Sequence, residues 1–587
     1  MAAIAGFVGD GSPELLSGMS EALGHRGRVG AAQHWDRRFA VCHRQDATSG
    51  PGLARRAGLT CVLDGSLLNR DELIERVGAA AQPMTDAELL CALYEREGVR
   101  AFERLDGPAA LALADGRTLH LVRDALGERP LYFAEVDGLV LFACEIKALL
   151  AHPSFRVVPE LESLLCILVY SFIPGTGTAF RGVQQLEPGT RVELPLAGGP
   201  VRVVRYWDLQ EELRSDVPEA EQVAELRELL RSAVRRRLPP AGTPIGAFLS
   251  GGIDSSAVVA LLAELGRPPI CYSAGFGYGH PNELLYASLV ATRYELDHRV
   301  IDVEPEDFVS LLPRVMWGLD DPLCDCITVP NFVLASAAGR DVPVIFNGEG
   351  GDPLFGGPKN KFMILGEWYG FLGGYDRARA YLSSYHKFYD YLPDLCTAEF
   401  LHGSGGPAGL EEHVRVTLDD ERYQSFLNRL MHVNIRRKGG QNILVKVDKM
   451  LTPNGVVACS PLFDKRLTEH SFTLPAELKR RGDAEKYAFK KAVEDLLPAS
   501  VVYRKKAGMG VPLNHWFKKT VLRRYTRDLL GSERARSRGY FRQPFVERLL
   551  AGELPDGHLG RDRSGELLWM LLAIELWHRV YVDGERP

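Results

Sequence analysis

The run Pro244-Ile245-Gly246-Ala247-Phe248-Leu249 passes directly into Ser250-Gly251-Gly252-Ile253-Asp254-Ser255-Ser256. An apolar run of strand length, two glycines and the helical pattern from Ala257 to Leu265 predict a strand, a tight turn and a helix. Glycine pairs let a backbone curl so that its N–H groups converge on one concave site. The start of the following helix adds a positive end that favours an anion. Ser250, Ser255 and Ser256 supply hydroxyl donors, and Asp254 supplies a hard oxygen suited to Mg²⁺. The string therefore reads as a cradle for pyrophosphate. It is not a Walker A loop, because no Gly-Lys-Ser/Thr follows. A plain Ser/Gly-rich turn is the bland alternative; the full string between a strand and a helix favours the nucleotide reading.

With 587 residues, the chain is too long for a single core, and two or more domains are expected. A net charge of −6 makes no general case for nucleic acid or for an acidic membrane surface. The ten cysteines are scattered, with no CxxC pair, and most sit in apolar runs. They read as reduced core thiols of a cytoplasmic protein rather than a disulfide frame or a zinc site. No basic stretch followed by an apolar segment opens the sequence, so no signal peptide is expected. The apolar run Leu164 to Phe172 is too short to span a bilayer.

Residues 1 to about 205 show short β-type runs: Ala3 to Val8, Phe39 to His43, Leu59 to Leu63, Ala109 to Ala114, Leu119 to Arg123 and Leu139 to Ala143. Turn dipeptides such as Asp115-Gly116 and Asp137-Gly138 separate several of them. Helical patterns span Arg70 to Val77 and Asp86 to Glu97. This predicts a layered α+β domain. From about residue 218, helices and strands alternate (Glu219 to Arg237, Ile245 to Leu249, Ile270 to Ser273, Glu283 to Tyr294, His298 to Ile301, Val342 to Phe346), which predicts a parallel sheet covered by helices. A ligand then belongs beyond the C-terminal strand ends, where the Ser250 loop lies. Residues 375–587 read as mainly helical.

A second glycine-rich turn, Asn347-Gly348-Glu349-Gly350-Gly351-Asp352-Pro353-Leu354-Phe355-Gly356-Gly357, follows the strand ending at Phe346. It holds two carboxylates at a strand end, as a Mg²⁺–nucleotide site needs. Leu444-Val445-Lys446-Val447-Asp448-Lys449-Met450 and Arg504-Lys505-Lys506-Ala507-Gly508-Met509-Gly510-Val511-Pro512 come later. These four strings, in this order, resemble the asparagine synthetase family. The first of them is similar to the SGGxDS loop of ATP pyrophosphatases. His25-Arg26-Gly27, the stretch Arg123 to Tyr132 and Glu145-Ile146-Lys147 are similar to that family's glutaminase domain. The resemblance covers almost the whole chain. It implies a glutaminase-like domain (1–207) with a layered sheet of Ntn-hydrolase type, then an α/β ATP-pyrophosphatase domain (208–587) with a largely helical C-terminal part.

The departures carry the functional reading. Family members that use glutamine begin Met-Cys-Gly-Ile, with the Cys as N-terminal nucleophile; this chain begins Met1-Ala2-Ala3-Ile4. The Asn-Gly-Glu turn that holds glutamine appears as Asp64-Gly65-Ser66, and an expected Arg appears as Gln45. Asp86 alone matches among the placed substrate contacts. The first domain is therefore expected to be inactive and to serve as a prop for the synthetase half. The Glu-x-Arg-x-Pro segment reads Val457-Ala458-Cys459-Ser460-Pro461, so the ordinary aspartate pocket is altered too. Glu349 stands where β-lactam synthetases carry Tyr. The string ending Pro358-Lys359-Asn360 and the overall length look most like a lasso peptide cyclase, which joins the N-terminal amine of a peptide to an Asp or Glu side chain within it.

By that similarity Asp254 and Asp352 hold Mg²⁺ against ATP, and Ser250, Gly251, Gly252, Ser255, Ser256 and Gly348 cradle the phosphates. Ser273 contacts the adenosine or is an ordinary turn serine. Lys506 meets the α-phosphate and the developing oxyanion, whereas Lys505 reads as a solvated charge. Glu349 accepts a proton from the attacking ammonium, or binds nearby backbone N–H groups; both readings stand. Lys446 and Asp448 form part of the active-site wall or an ion pair fixing their helix, with the ion pair preferred. The basic stretch Arg523 to Arg542 could touch a peptide or partner, with a solvated helical face as the default reading, and His25 and His43 read as core or hydrogen-bonding residues. The implied partners are a precursor peptide, with a leader-binding protein and a leader peptidase as candidates, and no nucleic acid or membrane. A cleft larger than an aspartate site needs is expected. The alternatives are an ammonia-dependent asparagine synthetase, a β-lactam synthetase acting on a small amino-acid derivative, and a non-catalytic scaffold.

Overall fold

The computed structural model describes the chain except residues 1, 46–49, 79–82, 278, 279, 281, 358–362, 364–375, 386, 506–509, 554–561 and 587. Its first part is built on two six-stranded antiparallel sheets. One runs Val183–Gln185, Tyr132–Val136, Leu139–Ala143, Ala3–Val8, Phe39–Gln45, Gly30–Trp35; the other runs Arg202–Arg205, Thr190–Pro195, Thr118–Arg123, Ala109–Ala114, Leu59–Gly65, Leu53–Arg56. Side chains alternate across each strand, and this sets the layers. Ala110, Ala112 and Ala114 join the core shared with Ile4, Phe7 and Phe142. Ala109, Leu111 and Leu113 face the other way, against Leu89, Leu90 and Leu93 of the helix Asp86–Glu97. That helix starts on a capping box in which Thr85 and Glu88 satisfy each other's backbone N–H groups. The layered α+β reading holds, and the structure adds strands that the sequence patterning did not mark, such as Gly30–Trp35, whose side chains are mostly exposed.

The second part carries a five-stranded parallel sheet in the order His298–Asp302, Ile270–Gly275, Ile245–Phe248, Val344–Phe346, Val457–Cys459. The fifth strand comes from the segment read as an altered aspartate pocket. The helix after the first glycine loop begins at Ile253 and ends at Glu264, and it is buried almost all round. Its apolar residues pack with the helix Glu219–Arg235 into a core separate from that of the antiparallel sheets. Helices dominate from Arg377 onward. All ten cysteines are free thiols. Among the described residues no helix is long and apolar enough to cross a membrane.

The two parts meet through buried ion pairs. Asp448 accepts hydrogen bonds from Arg26 (2.7 Å) and Arg129. Asp320 takes Lys147 on one oxygen (2.8 Å) and Lys449 on the other (2.7 Å). Within the first part, Glu145 binds Arg26 (2.9 Å) and His25 (2.8 Å). These side chains are nearly excluded from solvent, so each charge depends on its partners to offset the cost of burial.

Candidate active site

Counted along the chain, the parallel sheet grows first to one side of Ile245–Phe248 and then, from Val344–Phe346, to the other. The two glycine loops leave the sheet from these two adjacent strands. The crevice beyond the strand ends at such a reversal is the natural ligand site of an open parallel sheet. Gly251 sits at φ +82°, and a Cβ there would lie 2.4 Å from the Glu283 carbonyl oxygen. The loop is closed by its own hydroxyls: Ser255 Oγ accepts from the Ser250 N–H (3.1 Å) and donates to the Gly252 carbonyl (3.2 Å). A Cβ at Gly348 would come within 2.3 Å of the Ser255 nitrogen. Glycine is therefore required where the two loops touch.

Together the loops enclose a cavity of about 380 Å³. Ser250, Gly252, Asp254, Ser255, Ser273, Gly348, Glu349 and Asp352 all line it. Gly251 does not; its carbonyl accepts from Arg504 (3.0 Å), which also pairs with Glu283. Ser256 is fully buried, lies outside the lining, and its Oγ has no hydrogen-bond partner among the described residues. Ser273 lines the cavity, but its hydroxyl is engaged by the Leu249 carbonyl and by His298 Nε2 (2.7 Å). Lys506 and residues 358–360 lie outside the described residues. The volume lies within the 300–1,000 Å³ usual for small-ligand sites.

The cation that reaches the two carboxylates is one that sequence reasoning missed. Lys486 Nζ lies 2.7 Å from both oxygens of Asp254 and 2.6 Å from Oδ1 of Asp352. Its own backbone is left-handed, with φ +54°, a conformation that non-glycine residues adopt at a cost of about 1 kcal/mol or more. Such strain is kept where the surrounding structure demands one position for the side chain. The pair of carboxylates is thus already arranged around a positive charge. Two hard oxygen donors in this arrangement suit Mg²⁺, which completes its shell with water and phosphate oxygens. No group of three or more metal-ligating side chains occurs among the described residues, and this mode of binding needs none.

A second polar cluster occupies another part of the lining. Lys446 Nζ donates to Asp325 Oδ2 at 2.7 Å, and Glu349 and Lys438 complete the group. Burial raises the Glu349 pKa, with Lys446 opposing the shift. Burial would also raise Asp325, but Lys446 outweighs it and holds that carboxyl at about 2. Lys446 therefore both lines the cavity and makes an ion pair, whereas Asp448 serves the contact between the two parts of the chain. Asp325 and Lys438 carry no local motif; only the fold brings them here.

The amidotransferase-like half contains no activated thiol at the corresponding place. Ala2 is buried, and its carbonyl accepts from Arg26 Nε (3.3 Å). Cys42 and Cys144 flank the same strand and are fully buried. Burial pushes the Cys42 thiol up to about 12 and Cys144 upward as well. His43 is buried, which pulls it down to about 4, so it is neutral at pH 7.

Comparison with known proteins agrees with this geometry. A family model described as asparagine synthase matches residues 225–579, and one described as a glutamine amidotransferase domain matches residues 1–207. The chain is 25% identical over 605 residues to asparagine synthetase [glutamine-hydrolyzing] 1 of Bacillus subtilis, covering 97% of this chain and 94% of that one. It is 28% identical over 559 residues to a putative asparagine synthetase [glutamine-hydrolyzing] of Mycobacterium bovis, covering 89% and 84%. It is 27% identical over 455 residues to the carboxyethyl-arginine beta-lactam-synthase of Streptomyces clavuligerus, covering 77% and 74%. With its two loops at the sheet reversal and its amidotransferase-like first half, the chain belongs to the asparagine synthase family of ATP-dependent amide-forming ligases.

Proposed function

We propose that this ligase closes a ring within a ribosomal precursor peptide, as a lasso peptide cyclase does. It activates an Asp or Glu side-chain carboxylate with ATP and joins it to the peptide's own N-terminal amine. The observation that carries this reading is the lack of a nucleophile in the amidotransferase-like half. Ala2 has no reactive side chain, and burial raises the thiols of Cys42 and Cys144, which flank the strand Ala3–Val8, so that they stay protonated. Nitrogen must then arrive as an amine already present on a substrate, or as free ammonia.

The chemistry is a balanced pair of substitutions. A carboxylate oxygen of the peptide attacks the α-phosphorus of ATP, and pyrophosphate leaves. The amine then attacks the acyl carbon, AMP leaves, and the excess proton of the ammonium passes to a base. Asp254 and Asp352 would hold Mg²⁺, which would supply positive charge against the phosphates when bound. Lys486 is near enough to both carboxylates to share that task, and a fixed cation favours the charge that builds in the transition state. Glu349 is suited to receive the proton, because a carboxyl with a raised pKa is a better base than an ordinary one. Holding both peptide ends in one cleft gives an effective molarity that can reach ~10⁵–10⁸ M. Water must be kept out, since it would hydrolyse the activated acid.

The test is incubation of the full chain with its cognate precursor peptide, ATP and Mg²⁺. AMP, pyrophosphate and a peptide lighter by one water are expected. Release of asparagine from aspartate, ammonium and ATP, with no peptide present, would favour the ammonia-dependent alternative. Deamidation of free glutamine would refute the proposal outright.

A further inference from the structure

Within the stretch 434–443, the cleft is lined by Asn434, Lys438 and Ile443. Steps of four and five residues match the roughly 4.4-residue turn of an i→i+5 helix, not the 3.6 of an α-helix. Residues Asn434–Ile443 do form a π-helix of ten residues. Over those nine steps, an α-helical path would rotate Ile443 by roughly 180° relative to Asn434, so the two could not share the cleft face. Such helices are seldom longer than a single-turn bulge, so ten residues need support from outside.

That support comes from the opposite face and from the amidotransferase-like half. The fully buried Arg123 donates to the Gly440 carbonyl at 2.7 Å and to the carbonyls of Arg129, Leu186 and Gly127. Glu187 accepts hydrogen bonds from both Arg436 and Arg437. The Gln441 amide and the Gly175 backbone bond each other in both directions, with Gly175 N–H to Oε1 at 2.9 Å. A Cβ on Gly440 would come within 2.6 Å of Pro188 and 2.7 Å of the Leu126 carbonyl. The gripped residues 436–437 and 440–441 are themselves about one such turn apart.

We propose that Arg123 and Glu187 are positioning residues for the ligase reaction. They hold 434–443 in its wide register, and so aim Asn434 and Lys438 into the cleft. This gives the amidotransferase-like half a task in catalysis that needs no glutamine. The kinetic part of the claim rests on the ligase reading above; the structural part does not.

Glu187→Gln and Gly440→Ala in the full chain test it. In each variant, amide hydrogen exchange across 434–443 should quicken by about tenfold, while that of the strand Ile245–Phe248 stays unchanged. For Glu187→Gln, kcat should fall about tenfold with ATP affinity held within about twofold. Combined with Lys438→Met, its further cost should be smaller than its cost in the wild type, because part of its effect acts through Lys438. Unchanged exchange in both variants overturns the proposal, as does a double variant whose two losses simply multiply. If the wild-type chain turns over no acceptor, the ligase reading falls, and the exchange experiment still decides whether these residues hold the register.

Discussion

Lys486→Met removes the ammonium between Asp254 and Asp352 while keeping most of the buried stem. The distances of 2.7 Å and 2.6 Å from Nζ put the facing carboxylate oxygens at most about 5 Å apart, where two unit charges repel by about 3 kcal/mol or more at an effective dielectric constant near 20 and by about 1 kcal/mol in bulk water. The Asp254 side chain is 15% exposed and that of Asp352 42%. Solvent therefore screens one partner substantially, and a loss of about 1–2 kcal/mol is expected in the ligand-free variant. Urea unfolding, with and without millimolar Mg²⁺, is the assay. Mg²⁺ alone should stabilise the variant more than the wild type, because the metal no longer competes with the lysine for the same oxygens. Turnover should fall on the order of 10²–10³-fold through kcat, the usual cost of losing one preorganised charge at a reacting phosphate or acyl centre. Equal stability of the two ligand-free proteins, together with an equal response to Mg²⁺, would refute the reasoning.

Asp448→Asn should cost about 3–5 kcal/mol in urea unfolding, since it leaves the buried Arg26 and Arg129 without their shared carboxylate; a loss under about 1 kcal/mol would contradict the role given to this contact. The Asp325 carboxyl titrates at about 2 when folded, against about 3.9 when unfolded. A lowered carboxylate stabilises the fold above its unfolded value and loses that contribution as pH falls through the folded one. Lys446→Met should therefore lower stability by about 2 kcal/mol at neutral pH, with the difference from wild type vanishing as the pH falls toward 2. For Glu349, the raised pKa places a base whose activity is lost as pH falls through that value. The wild-type rate should show this acid limb, and Glu349→Gln should lose both the limb and most of the rate; an unchanged profile in the variant would remove Glu349 from the proton path.

The local parts of this molecule were legible in its sequence. Ser250 to Ser256 and Asn347 to Gly357 announce their turns through glycine, whose missing Cβ is a requirement written at single positions. An unbroken apolar run marks the strand Ala109–Ala114, because each of its two faces meets a core. What the tertiary structure alone decided lies far apart along the chain. Lys486 reaches Asp254 across 232 residues, Lys446 reaches Asp325 across 121, and Arg123 reaches Gly440 across 317. A lysine before a helix looks like any solvated charge until the fold sets two carboxylates beside it. The wide turn of 434–443 likewise has no pattern of its own, since contacts from another part of the chain hold it. Short-range sterics are a property of neighbouring residues and can be read in order; electrostatic pairing depends on distance in space, which only the folded chain defines.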